Sequence, residues 1–192
     1  MGISQEQEKE RLTQNPGMLI IIRGIPGSGK STLASSLIRE LGEKALKIDP
    51  DMYRYKNTPS SIQHGENEET LFGNLANTAL EALYSGKIVV WDQALTRLDE
   101  NLVNRIKSVI WPIPIMLVEV ETPESVAWQR IQKREKEGLQ TGPYKEQFSA
   151  LCKRYLPFQG TNTDIRIIRI QGDKSIEENI KQIYNVLNKD YF

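Results

Sequence analysis

The stretch from Met18 to Leu41, MLIIIRGIPGSGKSTLASSLIREL, constrains this chain more than any other. Five apolar residues, Met18 to Ile22, make the short continuous run of a strand buried on both faces. Gly24, Gly27 and Gly29 then break regular structure. Lys30-Ser31-Thr32 opens a helix whose Leu33, Ala34, Leu37, Ile38 and Leu41 recur at helical spacing. Gly24 to Ser31 therefore fits G-x-x-x-x-G-K-[ST] with a strand before it and a helix after it, the context that gives the pattern meaning. A turn that bound nothing would need neither the lysine nor the hydroxyl at these places. The glycines let successive backbone N–H groups converge on phosphate oxygens at the positive end of a helix dipole. Lys30 supplies a mobile charge for β- and γ-phosphates, and Ser31 an oxygen for Mg²⁺. Gly24, Gly27, Ser28, Gly29, Lys30, Ser31 and Thr32 are accordingly the expected contacts of a nucleoside triphosphate.

The 192 residues suffice for one domain with a sizeable core. Basic and acidic side chains balance at 25 each, so no overall positive field points to nucleic acid, although a local basic groove remains compatible. The single cysteine, Cys152, excludes an internal disulfide and suits a reducing compartment. No apolar stretch approaches the ~20 residues of a membrane helix. The N-terminus lacks a signal-peptide core, and Glu6 stands where a myristoylation signal carries Ser or Thr. The expectation is a cytoplasmic protein without a membrane attachment, and no protein partner is indicated.

Residues 1–17 read as a polar arm closing on the turn Asn15-Pro16-Gly17, and 18–192 as a single domain. Ala45 to Ile48 is a short second strand that runs into Asp49-Pro50-Asp51-Met52-Tyr53-Arg54. Residues 55–67 form a polar loop near the mouth of the site. Leu71 to Leu83 carries a clean helical stripe, and Ile88 to Trp91 a buried strand ending at Asp92. Leu98 to Ile110 is helical and is stopped by the prolines at 112 and 114; Ile115 to Val120 is the fourth strand. Thr122-Pro123 reads as a capping hydroxyl followed by proline in the first turn of a helix that runs to about Glu137. A flexible loop at 138–143 precedes a helix with Phe148, Leu151, Cys152 and Tyr155 on one side. Ile165 to Ile170 is the fifth strand, and Ser175 with Glu178 forms a capping box for a last helix through Leu187. Strands alternating with helices give a three-layer α/β fold with a central parallel sheet of about five strands and a small helical lid at about 128–145. Ligands of such sheets sit beyond the carboxyl ends of the strands, so the glycine loop, Asp49–Arg54 and Asp92 should share one crevice.

The neighbours of the loop decide what happens to the γ-phosphate. A GTP switch would carry Asp-x-x-Gly after its acidic strand, but Asp92 is followed by Gln93-Ala94-Leu95. Asn188-Lys189-Asp190-Tyr191 likewise has the wrong spacing for a guanine reader, and the chain is short for a ring-forming ATPase. A small phosphotransferase needs a carboxylate for the acceptor's proton, a second for the metal shell, and arginines for the transferring phosphoryl group. Asp51, just past the second strand, stands where an acceptor hydroxyl approaches, and Arg54 can hold an anionic group or steer Asp51. Asp92 ends an apolar strand where an acid meets Mg²⁺ or its waters. Arg130 and Arg134, one helical turn apart, can swing onto the β- and γ-phosphates when the lid loop closes. Each has a plainer reading. Asp49 and Asp51 suit a turn, Asp92 a strand-end cap, and Arg130 with Arg134 a solvated helix face. His64 reads as a surface residue, Cys152 as core, and Trp91, Trp111 and Trp128 as packing residues.

Gly24-Ile25-Pro26-Gly27-Ser28-Gly29-Lys30-Ser31-Thr32, Asp51-Met52-Tyr53-Arg54 and Arg130-Ile131-Gln132-Lys133-Arg134 together resemble the 5′-hydroxyl polynucleotide kinase domain of end-healing enzymes. They are similar also to the zeta-toxin kinases. The resemblance covers most of residues 18–158. It implies a P-loop kinase that uses ATP and Mg²⁺, with Asp51 as general base, Arg54 at the acceptor site, paired lid arginines at Arg130 and Arg134, and an acid at Asp92. Gln93-Ala94-Leu95 departs from the Thr-Asn-Leu common in that family after the acid. The expected acceptor is a polynucleotide 5′-hydroxyl, with a nucleotide sugar or other small metabolite as the alternative. A nucleotide-gated binding module that hydrolyses ATP slowly is the reading from another class; it leaves Asp51 and the two arginines unused.

Overall fold

The computed structural model describes residues 17–52, 68–139, 143–160 and 165–191. The polar arm through residue 16, Arg54, the loop at 55–67 with His64, and the tip of the lid loop at 140–142 lie outside these residues.

Five strands form one parallel sheet: β1 (Met18–Arg23), β2 (Ala45–Ile48), β3 (Ile88–Asp92), β4 (Ile115–Glu121) and β5 (Arg166–Gln171). Their spatial order is β2-β3-β1-β4-β5, and every neighbouring pair is parallel. The helices are α1 (Lys30–Leu41), α2 (Glu68–Tyr84), α3 (Glu100–Ile110), α4 (Glu124–Lys136), α5 (Lys145–Arg154) and α6 (Ile176–Tyr191). No helix among the described residues is long and apolar enough to cross a membrane.

All six residues of β1 are buried because helices cover both faces of the sheet. Successive side chains alternate between the two faces. Leu19 and Ile21 join Leu75, Ala79 and Leu83 of α2 and Val103 and Ile110 of α3. Met18, Ile20 and Ile22 join Leu33, Ala34 and Leu37 of α1 and Ile183 and Leu187 of α6. A third, smaller cluster lies over the carboxyl end of the sheet, where Ile25 of the glycine loop packs with Ala127 and Ile131 of α4 and Phe148 and Cys152 of α5. The loop is thus seated on α4 and α5, the first of which carries most of its length in the stretch 128–145 expected as a lid.

The strand order makes β1 the place where the chain changes direction, since β2 and β3 lie to one side of it and β4 and β5 to the other. The crevice beyond such a strand is where ligands bind in open α/β sheets.

The helix termini follow the sequence except at one place. Gly42 closes α1 at φ +59°, with its N–H on the Ile38 carbonyl. Asp99 caps α3 by accepting from Leu102 N at 2.8 Å, and Ser175 Oγ accepts from Glu178 N at 3.2 Å ahead of α6. Thr122, however, does not cap α4. Pro123 occupies the cap position, and the threonine hydroxyl bonds elsewhere. Trp111 also departs from its expected packing role: it is 70% exposed, beyond the end of α3, because the helix turns its apolar stripe inward one residue earlier at Ile110.

Candidate active site

The glycine loop leaves β1 at Arg23 and enters α1 at Lys30, and each glycine answers a different contact. A Cβ at Gly24 would lie 2.6 Å from Ser28 Oγ and 2.8 Å from the Val120 carbonyl oxygen. A Cβ at Gly27, where φ is +80°, would strike the Ala127 carbonyl of α4. Gly29, at φ +100°, is the N-cap of α1 and has no side-chain cap. Its carbonyl accepts the first helical bond, from Leu33 N at 3.0 Å. The N–H groups at the start of α1, from Lys30 to Thr32, have no intrahelical carbonyl, which leaves them for an anion.

The loop's outward carbonyls are met by protein, which fixes the direction of its inward amides. The Ser28 carbonyl is the junction. It accepts from Thr122 Oγ1 at 2.9 Å and from Arg130 Nη1 at 3.3 Å. Arg130 Nη1 donates also to the Gly172 carbonyl at 3.0 Å, joining the loop after β5 to the phosphate loop. Gly172 lies so close that a Cβ there would strike both Ser28 O and Thr122 Oγ1. Arg134, the next arginine on α4, donates from Nε to the Arg130 carbonyl at 3.4 Å. Beyond the loop, Gln171 Nε2 is held by Glu121 Oε2 at 2.9 Å.

On the other side of the loop stand the acids. Asp92 closes β3 directly beside Ile22 of β1, and its side chain is 1% exposed. Lys47 Nζ lies 3.1 Å from Asp92 Oδ2 and 3.0 Å from Asp49 Oδ2. Burial raises the Asp92 pKa, while Lys47, Lys30 and the Ser31 hydroxyl beside the carboxylate pull against the shift. Burial pulls Lys47 down, but Asp92 and Asp49 outweigh it and the pKa stands above the usual lysine value. Asp49 has the second role of a cap: its Oδ1 accepts from Met52 N at 3.0 Å and starts a helical turn at residues 50–52. That turn carries Asp51, half-buried, at the carboxyl end of β2. The two aspartates around Pro50 therefore divide their work, one shaping the turn and the other riding on it.

The donors present suit Mg²⁺. Neither Asp92 oxygen accepts a well-directed hydrogen bond among the described residues. The carboxylate, the Ser31 hydroxyl and phosphate oxygens make an all-oxygen set of the kind this hard cation prefers. No group of three or more His, Cys, Asp or Glu side chains that could hold a metal ion occurs among the described residues.

Lys30, Ser31, Asp51 and Asp92 lie at the carboxyl end of the sheet, and Arg54 lies outside the described residues. Arg130 and Arg134 are expected on the β- and γ-phosphates, whereas here the first donates to the Ser28 and Gly172 carbonyls and the second to the Arg130 carbonyl. Sequence reasoning passed over Lys47, Thr122 and the pair Arg23–Glu119. Arg23 and Glu119 are both buried and ion-paired at 2.9 Å. A signal for this pair is present in the chain: Glu119 interrupts the apolar run of β4, where an unpartnered carboxylate would be costly.

A family model described as an AAA domain matches residues 19–157. Among curated relatives, a probable thymidylate kinase of Archaeoglobus fulgidus is 27% identical, over 88% of this chain and 94% of that protein. An adenylyl-sulfate kinase of Emericella nidulans is 26% identical, over 97% of this chain and 92% of that protein. Among solved structures, a putative kinase from Chloroflexus aurantiacus superposes with TM-score 0.68 at 16% identity, covering 91% of this chain and 98% of that one. The Mycobacterium tuberculosis APS kinase CysC, in complex with AMPPNP and APS, does so at TM-score 0.57 and 22% identity, covering 91% and 99%. A chain of the Pnkp1/Rnl/Hen1 RNA repair complex gives TM-score 0.55 at 24% identity, covering 73% of this chain and 43% of that one. With kinases as its relatives along nearly its whole length, the chain belongs to this AAA domain family, in its P-loop kinase form, and is an ATP-dependent kinase.

Proposed function

We propose that this kinase moves the γ-phosphoryl group of ATP to a hydroxyl on a nucleotide-type small molecule. The observation that carries the reading is the placement of Asp51 and Asp92 at the carboxyl ends of the adjacent strands β2 and β3, on the same side of the phosphate loop. Two acids so placed can serve two ends of one transfer. Lys30 and the first amides of α1 hold the β- and γ-phosphates. Ser31 and Asp92 are the residues that would hold Mg²⁺, which when bound offsets charge on the phosphates. Asp51 accepts the proton of the acceptor hydroxyl as its oxygen attacks the γ-phosphorus. The bond from phosphorus to the β–γ bridging oxygen breaks, and ADP leaves with that oxygen. Arg130 reaches the loop from α4, and Arg134 sits one helical turn further along. Arg130, already bound to the Ser28 and Gly172 carbonyls, serves by fixing the loop, and Arg134 by meeting charge on the phosphoryl group.

A nucleotide-type acceptor is supported by the relatives that align over most of the chain, a thymidylate and an adenylyl-sulfate kinase. A second reading, a polynucleotide 5′-hydroxyl, is favoured by Asp51-Met52-Tyr53-Arg54, while the balanced charge of the chain speaks for the smaller acceptor. The test is transfer of γ-labelled phosphate, with Mg²⁺, to a panel of nucleosides, nucleotides, UDP-sugars and 5′-hydroxyl DNA and RNA oligomers. Label in a small nucleotide supports the proposal. Label in an oligomer that a 5′-phosphate blocks supports the second reading, and free phosphate alone across the panel favours an ATP-gated binding module over both.

A further inference from the structure

We propose that Lys47 is a built-in counter-ion that keeps divalent cations out of the site until nucleotide arrives. The inference rests on the reading of Ser31 and Asp92 as the cation site. An ammonium group has three N–H donors, and Lys47 Nζ has three oxygen neighbours from three elements. They are Asp49 Oδ2 at 3.0 Å, Asp92 Oδ2 at 3.1 Å, and Ser35 Oγ of α1 at 3.3 Å. The Asp92 side chain is 1% exposed and that of Asp49 13%, so neither carboxylate has enough water to be left uncompensated. Lys47 reaches them from β2 with its stem half-buried. Lys30 adds a second positive charge within range of Asp92.

Lys47 thus occupies one oxygen of each of the two carboxylates, and Lys30 offsets part of the remaining charge at Asp92. A bare divalent cation approaching this cluster meets a weakened attraction and must displace Lys47 from a buried carboxylate. A nucleoside triphosphate changes the balance, because its phosphates draw Lys30 to themselves and bring negative charge for the metal. Lys47 therefore orders the binding events, metal arriving with nucleotide and not before it. It has a second consequence. By holding Asp49, which caps the turn carrying Asp51, Lys47 makes the position of the proposed base depend on the same ammonium that neutralises the metal acid. Lys47 is a positioning residue, since it acts through both aspartates.

The test is binding of Mn²⁺ alone, followed by electron paramagnetic resonance and calorimetry, to the full chain and to Lys47→Gln. In the wild type, Mn²⁺ should bind at least about tenfold more weakly without nucleotide than with AMPPNP. In Lys47→Gln, removal of the charge should tighten nucleotide-free binding by about tenfold or more, and Lys47→Arg should behave as the wild type. The gain should vanish in Lys47→Gln/Asp92→Asn. Equal Mn²⁺ affinity of the wild type with and without AMPPNP would overturn the proposal, and that measurement needs no variant to fold. A gain that survives Asp92→Asn would also overturn it, since the new site would lie elsewhere. A Lys47→Gln variant whose nucleotide-free Mn²⁺ affinity matches the wild type would overturn the proposal, whereas failure of Mn²⁺ to bind even with AMPPNP would refute the cation site itself.

Discussion

Arg23 and Glu119 are register partners on β1 and β4, and their buried side chains meet at 2.9 Å, one residue before the phosphate loop begins. The second guanidinium nitrogen donates to the Leu95 and Leu156 carbonyls, each at 2.8 Å, and the Tyr155 ring lies 4.5 Å from Cζ. Glu119 accepts in addition from Phe158 N at 2.9 Å and from Arg169 Nε at 3.1 Å. The pair thus ties the loop after β3 and the segment after α5 to the strand that carries the glycines. Replacing Glu119 leaves Arg23 charged and buried without its carboxylate, at a cost of about 3–5 kcal/mol, whereas replacing Arg23 leaves Glu119 paired with Arg169. Glu119→Met should lower stability in urea by this order and Arg23→Met by less, and the double variant should lose less than the sum by more than about 1 kcal/mol. Strict additivity across the four proteins would show that the pair is not coupled.

Gly172 gives a second prediction, at the opposite flank of the loop. A methyl group there meets Ser28 O and Thr122 Oγ1, and the next atom, Val120 Cγ1, stands only 2.8 Å away. The Ser28 carbonyl is backbone and cannot swing aside, so Gly172→Ala should push the phosphate loop or break its bond from Thr122. Overpacking of this kind costs about 1–3 kcal/mol. The loss should appear as weaker ATP binding by calorimetry. Thr122→Val, which removes the hydroxyl donor but keeps the shape, should weaken ATP binding in the same direction and by less. Unchanged affinity in Gly172→Ala would mean that the β5–α6 loop yields instead.

Much of this architecture is legible in the chain because its signals are local. Met18 to Ile22 is the short apolar run of a strand buried on both faces, and the glycine spacing carries the phosphate-loop pattern, although the contacts that Gly24 and Gly27 answer include Val120 and Ala127, about 100 residues away. Each of the remaining strands is a short apolar run closed by polar or turn-forming residues. What escapes is long-range pairing. Lys47 sits in a four-residue strand where a lone lysine reads as an outward edge residue, and nothing nearby says that Asp92, 45 positions on, will lie 3.1 Å away. Thr122-Pro123 carries a sound capping signal, yet the hydroxyl serves Ser28, 94 residues earlier. Local propensity yields there to a carbonyl that the phosphate loop must turn outward. Trp111 shows the limit of reading bulk as burial, since it follows the last inward position of α3 and is left outside.

Asp51 and Lys30 should separate chemistry from binding. Asp51→Asn keeps the size of the side chain and its place on the turn capped by Asp49, but removes the proton acceptor. Turnover should fall by about 10²-fold or more while ATP affinity is kept. Lys30→Ala should impair both, because the ammonium contacts the phosphates in the bound and reacting states alike. Normal turnover in Asp51→Asn would remove it from the role of base, and normal turnover in Lys30→Ala would refute the assigned site.

Alkali should find the cluster beneath the phosphate loop. Burial pushes the Cys152 thiol up to about 11, with Glu124 adding to the shift, and the Tyr155 phenol up to about 12. In the unfolded chain these groups titrate near ~8.5 and ~10. Between the two sets of values the unfolded state has released protons that the folded state still holds, so stability falls as pH rises. The loss begins near the unfolded thiol value and ends as pH passes the folded values. Thermal melts from pH 7 to 11 should therefore show a declining Tm above about pH 8.5. Cys152→Ala also removes a core contact with Ile25 and Phe148, so its absolute Tm will drop, and the slope is what bears on the titration. That slope should flatten between about pH 8.5 and 10 in Cys152→Ala, and above about pH 10 in Tyr155→Phe. Curves that run parallel to the wild type in both variants would place the alkaline sensitivity in other groups. A flattening confined to the cysteine variant would mean that Arg23, stacked on the ring, holds the Tyr155 phenol nearer its ordinary value than burial alone would set it.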